Sequence, residues 1–481
     1  MAEQSLKDKT VKSGMWSGIE QFSTQIIQFI YTIILARLLT PDDYGIVALT
    51  LVFFNIAYVL IDSGFATALI RKTDRTEEDL STCFFFNLGV AIISYIILFA
   101  SSPYIASFYD KPILEPIVKV SGITLIIKSL YIVQNTRFQY KLDFKVITKI
   151  SFSSVVISGC SGVLLAFKGF GVWSIVWQNI INVSLMMILM WVFSKWRPSF
   201  VFSKASFKYL LGFGSKLTLS YLIGTLYENI TPIIIGKFYT AGQLGYYNRA
   251  EAIGKLPSSN ITNLLQRVTF PVLSIIQDDA ERLKKDFRRV LKFSCFIIFP
   301  LMLVLSALAS PIIRLLLTDK WDGSTYLLEI LCFSLMTYPA HALNLNLLQI
   351  KGRSDLFLRL EIAKKVVGIL ILFLTLPISI EVMCYGMVLS SFISLGINTF
   401  YSGRIFGLNL ISQILDMAPI FVNSIIMYGA IRLSILAFEA EWEKLIVGVL
   451  VGVMSYIIGS FFLSKLELFE AISILKIRKK S

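Results

Sequence analysis

The residues of this sequence that could do chemistry are ionisable side chains set inside long apolar runs. Glu20, Arg37, Asp62 and Lys128 stand in the first third of the chain. Lys216, Glu228, Lys237, Arg249, Glu251, Lys255 and Arg267 follow near the middle, and Arg314, Glu329 and Arg432 further on. A charge at bilayer depth costs at least about 2.5–3.5 kcal/mol, so each such group should face a cavity, a partner or a membrane surface. Cations outnumber carboxylates in this set, a balance that suits binding of an anion. Glu20, Asp62 and Glu228 are the candidates for coupling to a cation. On the helix carrying Arg249, the step of about 100° per residue puts Arg249, Asn260, Asn263 and Arg267 on one face and leaves Glu251 and Lys255 off it. The first run carries an uncharged stripe of Gln21, Thr24, Gln25 and Gln28 beside Glu20.

Other readings of the same residues stay open. Arg37, Lys216, Lys237, Arg249, Arg314 and Arg432 lie near the ends of their runs, where long cationic side chains snorkel to headgroups. Glu251 with Lys255, and Glu228 with Lys237, could be structural ion pairs. Lys128 and Arg267 sit deeper and read as cavity-facing. Pro232, Pro257, Pro300 and Pro339 interrupt helical runs and are expected to bend them.

The elements that must hold these charges are membrane spans. Of the 481 residues, 56% are hydrophobic and 16% charged, with mean hydropathy +0.72. Soluble domains carry about 25% charged residues, which excludes that class. The pattern predicts an all-α polytopic membrane protein with about fourteen spans. They fall near 15–38, 44–70, 80–101, 113–133, 150–167, 171–193, 213–236, 246–272, 293–317, 325–350, 364–380, 384–403, 414–436 and 445–463. The short loops left over hold no folded extramembrane domain. The N-terminus mixes charge signs ahead of an apolar run too long for a cleaved leader, so that run reads as the first span.

Loop charge sets the orientation. With the N-terminus inside, 31 of the 45 Lys and Arg fall in cytoplasmic segments and 6 on the opposite side, so both termini are expected in the cytoplasm. The net charge of +14 is then explained by the membrane, and no nucleic-acid partner is expected. There is no HExxH, Walker loop or GxSxG; His341 is the single histidine, and no CxxC joins Cys83, Cys160, Cys295, Cys332 and Cys384, which read as small buried hydrophobes. No cofactor, metal site or enzymatic activity is expected, and the driving force must come from gradients, the membrane potential or the substrate.

The chain also repeats itself. Residues 33–45 (IILARLLTPDDYG) match 233–245 (IIIGKFYTAGQLG) at Ile33/Ile233, Ile34/Ile234, Thr40/Thr240 and Gly45/Gly245, with Arg37 opposite Lys237. The offset of 200 residues equals six spans. An even number makes the repeat parallel, a known transporter plan. The expected division is a lobe over 1–204 (spans 1–6), a second lobe over 205–405 (spans 7–12), and 406–481 for two extra helices and a cytoplasmic tail.

The segments ARLLTPDDYGIVAL (36–49), DSGFATALIRK (62–72), GFGVWSIV (169–176), GKFYTAGQLGYYNRA (236–250), FPVLSIIQDD (270–279) and TDKW (318–321) give the chain a family likeness. It resembles polysaccharide exporters of the Wzx type, in the colanic acid and teichuronic acid exporter branch of the multidrug/oligosaccharidyl-lipid/polysaccharide superfamily. The resemblance implies two six-helix lobes around a cavity plus two extra helices. It implies a flippase in the bacterial cytoplasmic membrane that moves an undecaprenyl-pyrophosphate-linked oligosaccharide from inner to outer leaflet by alternating access, for cell-surface polysaccharide biosynthesis. Membrane lipids and a polysaccharide polymerase or export complex would be its partners. The pyrophosphate-binding positions implied are Arg37 and Lys237, then Arg249 and Arg267. Lys128 joins them on its depth alone. The rival readings are a multidrug exporter of the same superfamily, disfavoured by the cationic balance, and a membrane polymerase or glycosyltransferase, disfavoured by the short loops.

Overall fold

The structure, a computed structural model, describes residues 2–477. The tail residues Arg478, Lys479 and Lys480, and the side chains of Lys7, Lys9 and Lys476, all counted above for topology, lie outside the described residues. Every regular element among the described residues is helical. Contacts divide the chain into two compact units, residues 1–245 and 246–481.

The first unit holds α1 (Ala2–Leu38), α2 (Pro41–Asp62), α3 (Phe65–Arg71), α4 (Glu77–Phe108), α5 (Leu114–Ser121), α6 (Ile123–Tyr140), α7 (Phe144–Phe167), α8 (Trp173–Ser194) and α9 (Lys204–Phe238). Its helix starts are written in the sequence. Thr40 accepts the backbone N–H of Asp43 while the Asp43 carboxylate accepts that of Thr40; Thr76 and Asp79 repeat this capping box at α4. The second expected span is not one helix. It breaks at Ser63 and Gly64, both in the left-handed region (φ 48° and 63°), where the chain turns into α3. The fourth span likewise divides at Gly122. Phe65, Leu69, Leu80, Cys83, Phe84, Val133, Trp196 and Leu210 bury a cluster that ties α3, α4, α6 and α9 together. A second cluster of Phe54, Ala57, Ile61, Ala91 and Leu125 ties α2 to α4 and α6.

The helix α10 (Ala241–Ile275) begins in the first unit and continues into the second. The second unit goes on with α11 (Ala280–Ala307), α12 (Ala309–Leu317), a 3-10 turn at Asp319–Trp321, α13 (Gly323–Leu335), α14 (Tyr338–Ile350), α15 (Ser354–Thr375), α16 (Ile380–Phe406), α17 (Leu410–Ile435), α18 (Glu441–Leu463) and α19 (Lys465–Ile477). Pro339 sits in the first turn of α14, so the tenth span is interrupted as its proline predicts; the ninth breaks at Leu308 instead of at Pro300, which stays inside α11. Four cysteines are buried, but Cys160 is exposed on α7, which corrects its reading as a buried hydrophobe.

The repeat is visible in the elements. The helices α1 and α9 end at Leu38 and Phe238, and α2 and α10 begin at Pro41 and Ala241, each pair 200 residues apart. The turns match in chemistry too: Thr240 caps α10 with Gln243 in the place of Asp43. The two turns meet within the first unit. A Cβ on Gly45 would lie 1.8 Å from the Ala241 carbonyl oxygen, and one on Gly245 would lie 2.1 Å from that of Pro41. Since Ala241 is the counterpart of Pro41, each glycine packs on the other copy's helix start. Further along, Gly64 and Gly214 bring the turn after α2 and the helix α9 into close backbone approach, where added Cβ atoms would lie 2.8 and 2.5 Å from carbonyl oxygens.

Ten helical segments among the described residues are long and apolar enough to cross a membrane. Four more are of membrane length but more polar: α1, α9, α10 and α15. They lie where the four remaining expected spans fall. Three of the four carry the charges and amides singled out above.

Candidate functional site

The candidate residues distribute over both units. In the first, Arg37 closes the last turn of α1 and is exposed. Its repeat mate Lys237 closes α9, also exposed, but is tied down locally. Its ammonium donates to the Phe108 carbonyl at 2.5 Å, lies 4.8 Å from the Phe108 ring centroid and is 3.7 Å from Asp110. The Glu228–Lys237 pairing considered above is therefore replaced by a strap to the end of α4. Glu228 is exposed on α9.

Lys128 and Asp62 are brought together. The Lys128 ammonium on α6 lies 3.7 Å from the centroid of the Tyr58 ring, Asp62 at the end of α2 is its charge partner, and the Tyr58 hydroxyl is 3.0 Å from that of Thr124. A cation over an aromatic face, with a carboxylate close by, is a stable way to keep charge at depth. Glu20 on α1 accepts a hydrogen bond of 3.0 Å from the Ser151 hydroxyl on α7, so it is polar glue between two helices as well as a titratable group.

In the second unit, Arg249 packs against the Trp321 ring at 5.5 Å. Arg267 and Asn263 are exposed on α10, and Asn260 is half-buried. Lys255 pairs with Glu251 at 2.8 Å, one turn apart and away from that face. Arg314 and Arg432 are structural. Arg314 makes paired bonds of 2.8 Å to Asp322 and one of 3.1 Å to Glu441, while Arg432 reaches Glu329 at 3.2 Å.

Sequence reasoning missed one polar centre. The imidazole of His341 on α14 bonds Thr337 (3.2 Å), Ser391 (3.2 Å) and Asn398 (3.1 Å), and Thr337 bonds Ser391 at 2.6 Å. The spacing of Thr337 and His341, one turn apart, was the available signal; Ser391 and Asn398 arrive from α16 and could not be placed from the sequence.

These helices, with turns repeated at 200 residues, define an all-helical polytopic membrane protein. Among solved structures, the chain is similar to the lipid II flippase MurJ in an inward closed conformation, with a TM-score of 0.75 and 16% identity over 94% of this chain and 99% of that one. It is also similar to an inward-facing MATE family multidrug transporter of the MOP superfamily, at TM-score 0.60 and 16% identity over 79% and 94%. At those identities the likeness is one of fold.

The chain belongs to the polysaccharide biosynthesis protein family, whose model matches residues 34–326. It is 28% identical over 351 residues to the teichuronic acid biosynthesis protein TuaB of Bacillus subtilis (strain 168), covering 72% of this chain and 73% of that protein. It is 27% identical over 365 residues to the lipopolysaccharide biosynthesis protein WzxC of Escherichia coli (strain K12), covering 75% and 74%. The Wzx-type resemblance read from the sequence motifs stands on these findings.

Proposed function

We propose that this protein flips an undecaprenyl-pyrophosphate-linked oligosaccharide from the inner to the outer leaflet of the bacterial cytoplasmic membrane by alternating access, with both termini cytoplasmic, and that it catalyses no covalent reaction. The observation that carries the reading is the polarity of α1, α9 and α10. These repeat-related helices are of membrane length, fall short of the apolarity of ordinary spans, and expose Arg37, Lys237, Glu228 and Arg267. Polar faces on long membrane helices need an aqueous path or a polar substrate to offset their insertion cost. Two lobes, 1–204 and 205–405, with 406–481 appended, would do the moving.

The candidates for holding the pyrophosphate are Arg37, Lys237 and Lys128 in the first unit and Arg249 and Arg267 in the second. Glu20, Asp62 and Glu228 remain the candidates for cation coupling. Moving negative charge outward across an inside-negative membrane gains about 2.3 kcal/mol per charge per 100 mV, so the membrane potential can drive the step. A membrane polymerase is the expected neighbour in the cell. Binding tests the site: undecaprenyl pyrophosphate should protect the purified protein against unfolding more than undecaprenol does, and Arg37→Gln with Arg267→Gln should abolish the difference. Equal protection by both lipids would remove the cationic site.

A further inference from the structure

A second place where this protein meets lipid lies wholly within the second unit and does not depend on the transport reading. The first half of α11, to Lys292, is predominantly basic, with Arg282, Lys284, Lys285, Arg288, Arg289 and Lys292 against Glu281 and Asp286, and the remainder from Phe293 is apolar. Against the basic part lies α19, joined to the end of α18 by Ser464 alone. The two helices line a cavity of about 760 Å³.

Most of its charge is accounted for. Arg288 makes paired bonds of 2.6 and 2.7 Å to the buried Asp416 of α17, Lys292 reaches the same carboxylate at 3.2 Å, and Arg289 reaches Glu470 of α19 at 2.7 Å. Those pairs fix α11 to α17 and α19. Lys284 and Lys285 form no ion pair among the described residues, and both line the cavity. Five cations line it against three carboxylates, Glu281, Glu467 and Glu470. The same cavity is lined by Leu466, which is 81% exposed, and Phe469 on α19 is 52% exposed while Leu468 is buried.

A soluble anion would use the lysines and leave Leu466 in water. An amphiphile uses both, because a phosphodiester can sit on the ammonium groups while its glycerol and acyl chains cover the leucine and phenylalanine. A helix with exposed Leu466 and Phe469 beside a basic stripe, at the point where a span turns from basic to apolar, is where anionic headgroups of the inner leaflet collect. We infer that the cavity between α11 and α19 binds the phosphate headgroup of an anionic phospholipid, with Lys284 and Lys285 on the phosphate and Leu466 against the lipid body.

The test uses the full chain in detergent, titrated with phosphatidylglycerol, phosphatidylcholine or inorganic phosphate, with bound lipid counted by native mass spectrometry and thermal unfolding followed in parallel. Phosphatidylglycerol should bind and stabilise, and the other two should not. Lys284→Gln with Lys285→Gln should weaken phosphatidylglycerol binding by about 25-fold, from roughly fivefold per surface lysine. Leu466→Ser, which leaves every charge in place, should weaken it as well and guards against a folding defect in the lysine variant. Equal binding of phosphatidylcholine, an effect of inorganic phosphate equal to that of the lipid, or unchanged lipid binding in both variants would each overturn the inference.

Discussion

Gly45 and Gly245 offer the sharpest structural perturbation. Adding a methyl group at Gly45 places carbon 1.8 Å from the Ala241 carbonyl oxygen, where ordinary contact begins at 3.4 Å, so the two helix starts must separate by about 1.6 Å. The obstacle is backbone and cannot rotate away. Overpacking of this kind costs about 1–3 kcal/mol, and the cost falls only on the conformation in which the two turns touch. If the transporter alternates between touching and parted turns, Gly45→Ala shifts the balance toward the parted state by roughly 5- to 150-fold. Asp42 and Gly242 report on this directly, because a Cβ at 242 would lie 3.4 Å from the Asp42 carboxylate. With Cys160→Ser as background, Asp42→Cys with Gly242→Cys should oxidise readily to a disulfide in membranes. Adding Gly45→Ala should slow that at least fivefold. Gly429→Ala on α17, where nothing lies within 4 Å, is the control and should leave the rate unchanged. An unaltered cross-linking rate in Gly45→Ala would refute the reasoning.

Three further outcomes follow from the same geometry. Asp416→Ala should lower the unfolding temperature, at a cost of about 1–3 kcal/mol for the lost charged hydrogen bonds, because Arg288 and Lys292 can still turn toward water; calorimetry in detergent checks this. Thr40→Ala and Thr240→Ala should each cost about 1 kcal/mol by loss of a cap, and their effects on denaturant midpoints should be alike if the two turns are true counterparts. Lys72, in the loop after α3, has its pKa raised above the ordinary 10.5, chiefly by the Asp79 carboxylate at 2.7 Å. Its stabilising contribution is therefore full below the unfolded value and lost as pH rises through the raised one. The stability gap between wild type and Lys72→Gln should persist at neutral pH and close as the pH rises through the raised pKa of Lys72; a gap that stayed constant through that titration would contradict the assignment.

Much of this was legible in the sequence. Apolar runs of membrane length gave the crossings, the 200-residue repeat gave matching helix ends at Leu38 and Phe238, and Thr40 with Asp43 wrote a helix start in plain chemistry. Breaks inside spans were harder. Ser63–Gly64 interrupts the second run because α9 approaches there through Gly214, and that contact joins residues 150 positions apart. The charges show the same limit. The spacing of Glu251 and Lys255 foretold their ion pair, but the partners of Lys237 and Arg314 come from turns, at Asp110 and Asp322, and that of Arg432 from another helix, at Glu329. Periodicity tells which residues share a face of one helix. It says nothing of what the neighbouring helix presents to that face, and so the hydroxyls and amide that hold His341 were not found from the sequence.

The central claim is movement of a lipid-linked oligosaccharide between leaflets. The direct measurement is leaflet exchange in sealed proteoliposomes carrying the purified protein and an undecaprenyl-pyrophosphate oligosaccharide with a reporter sugar, read by the fraction accessible to an added sugar-modifying enzyme. Protein-dependent exchange, accelerated by a membrane potential negative on the side of departure and lost in Arg37→Gln with Arg267→Gln, is the result expected. No exchange above protein-free vesicles with the glycan of the protein's own cell would contradict the account.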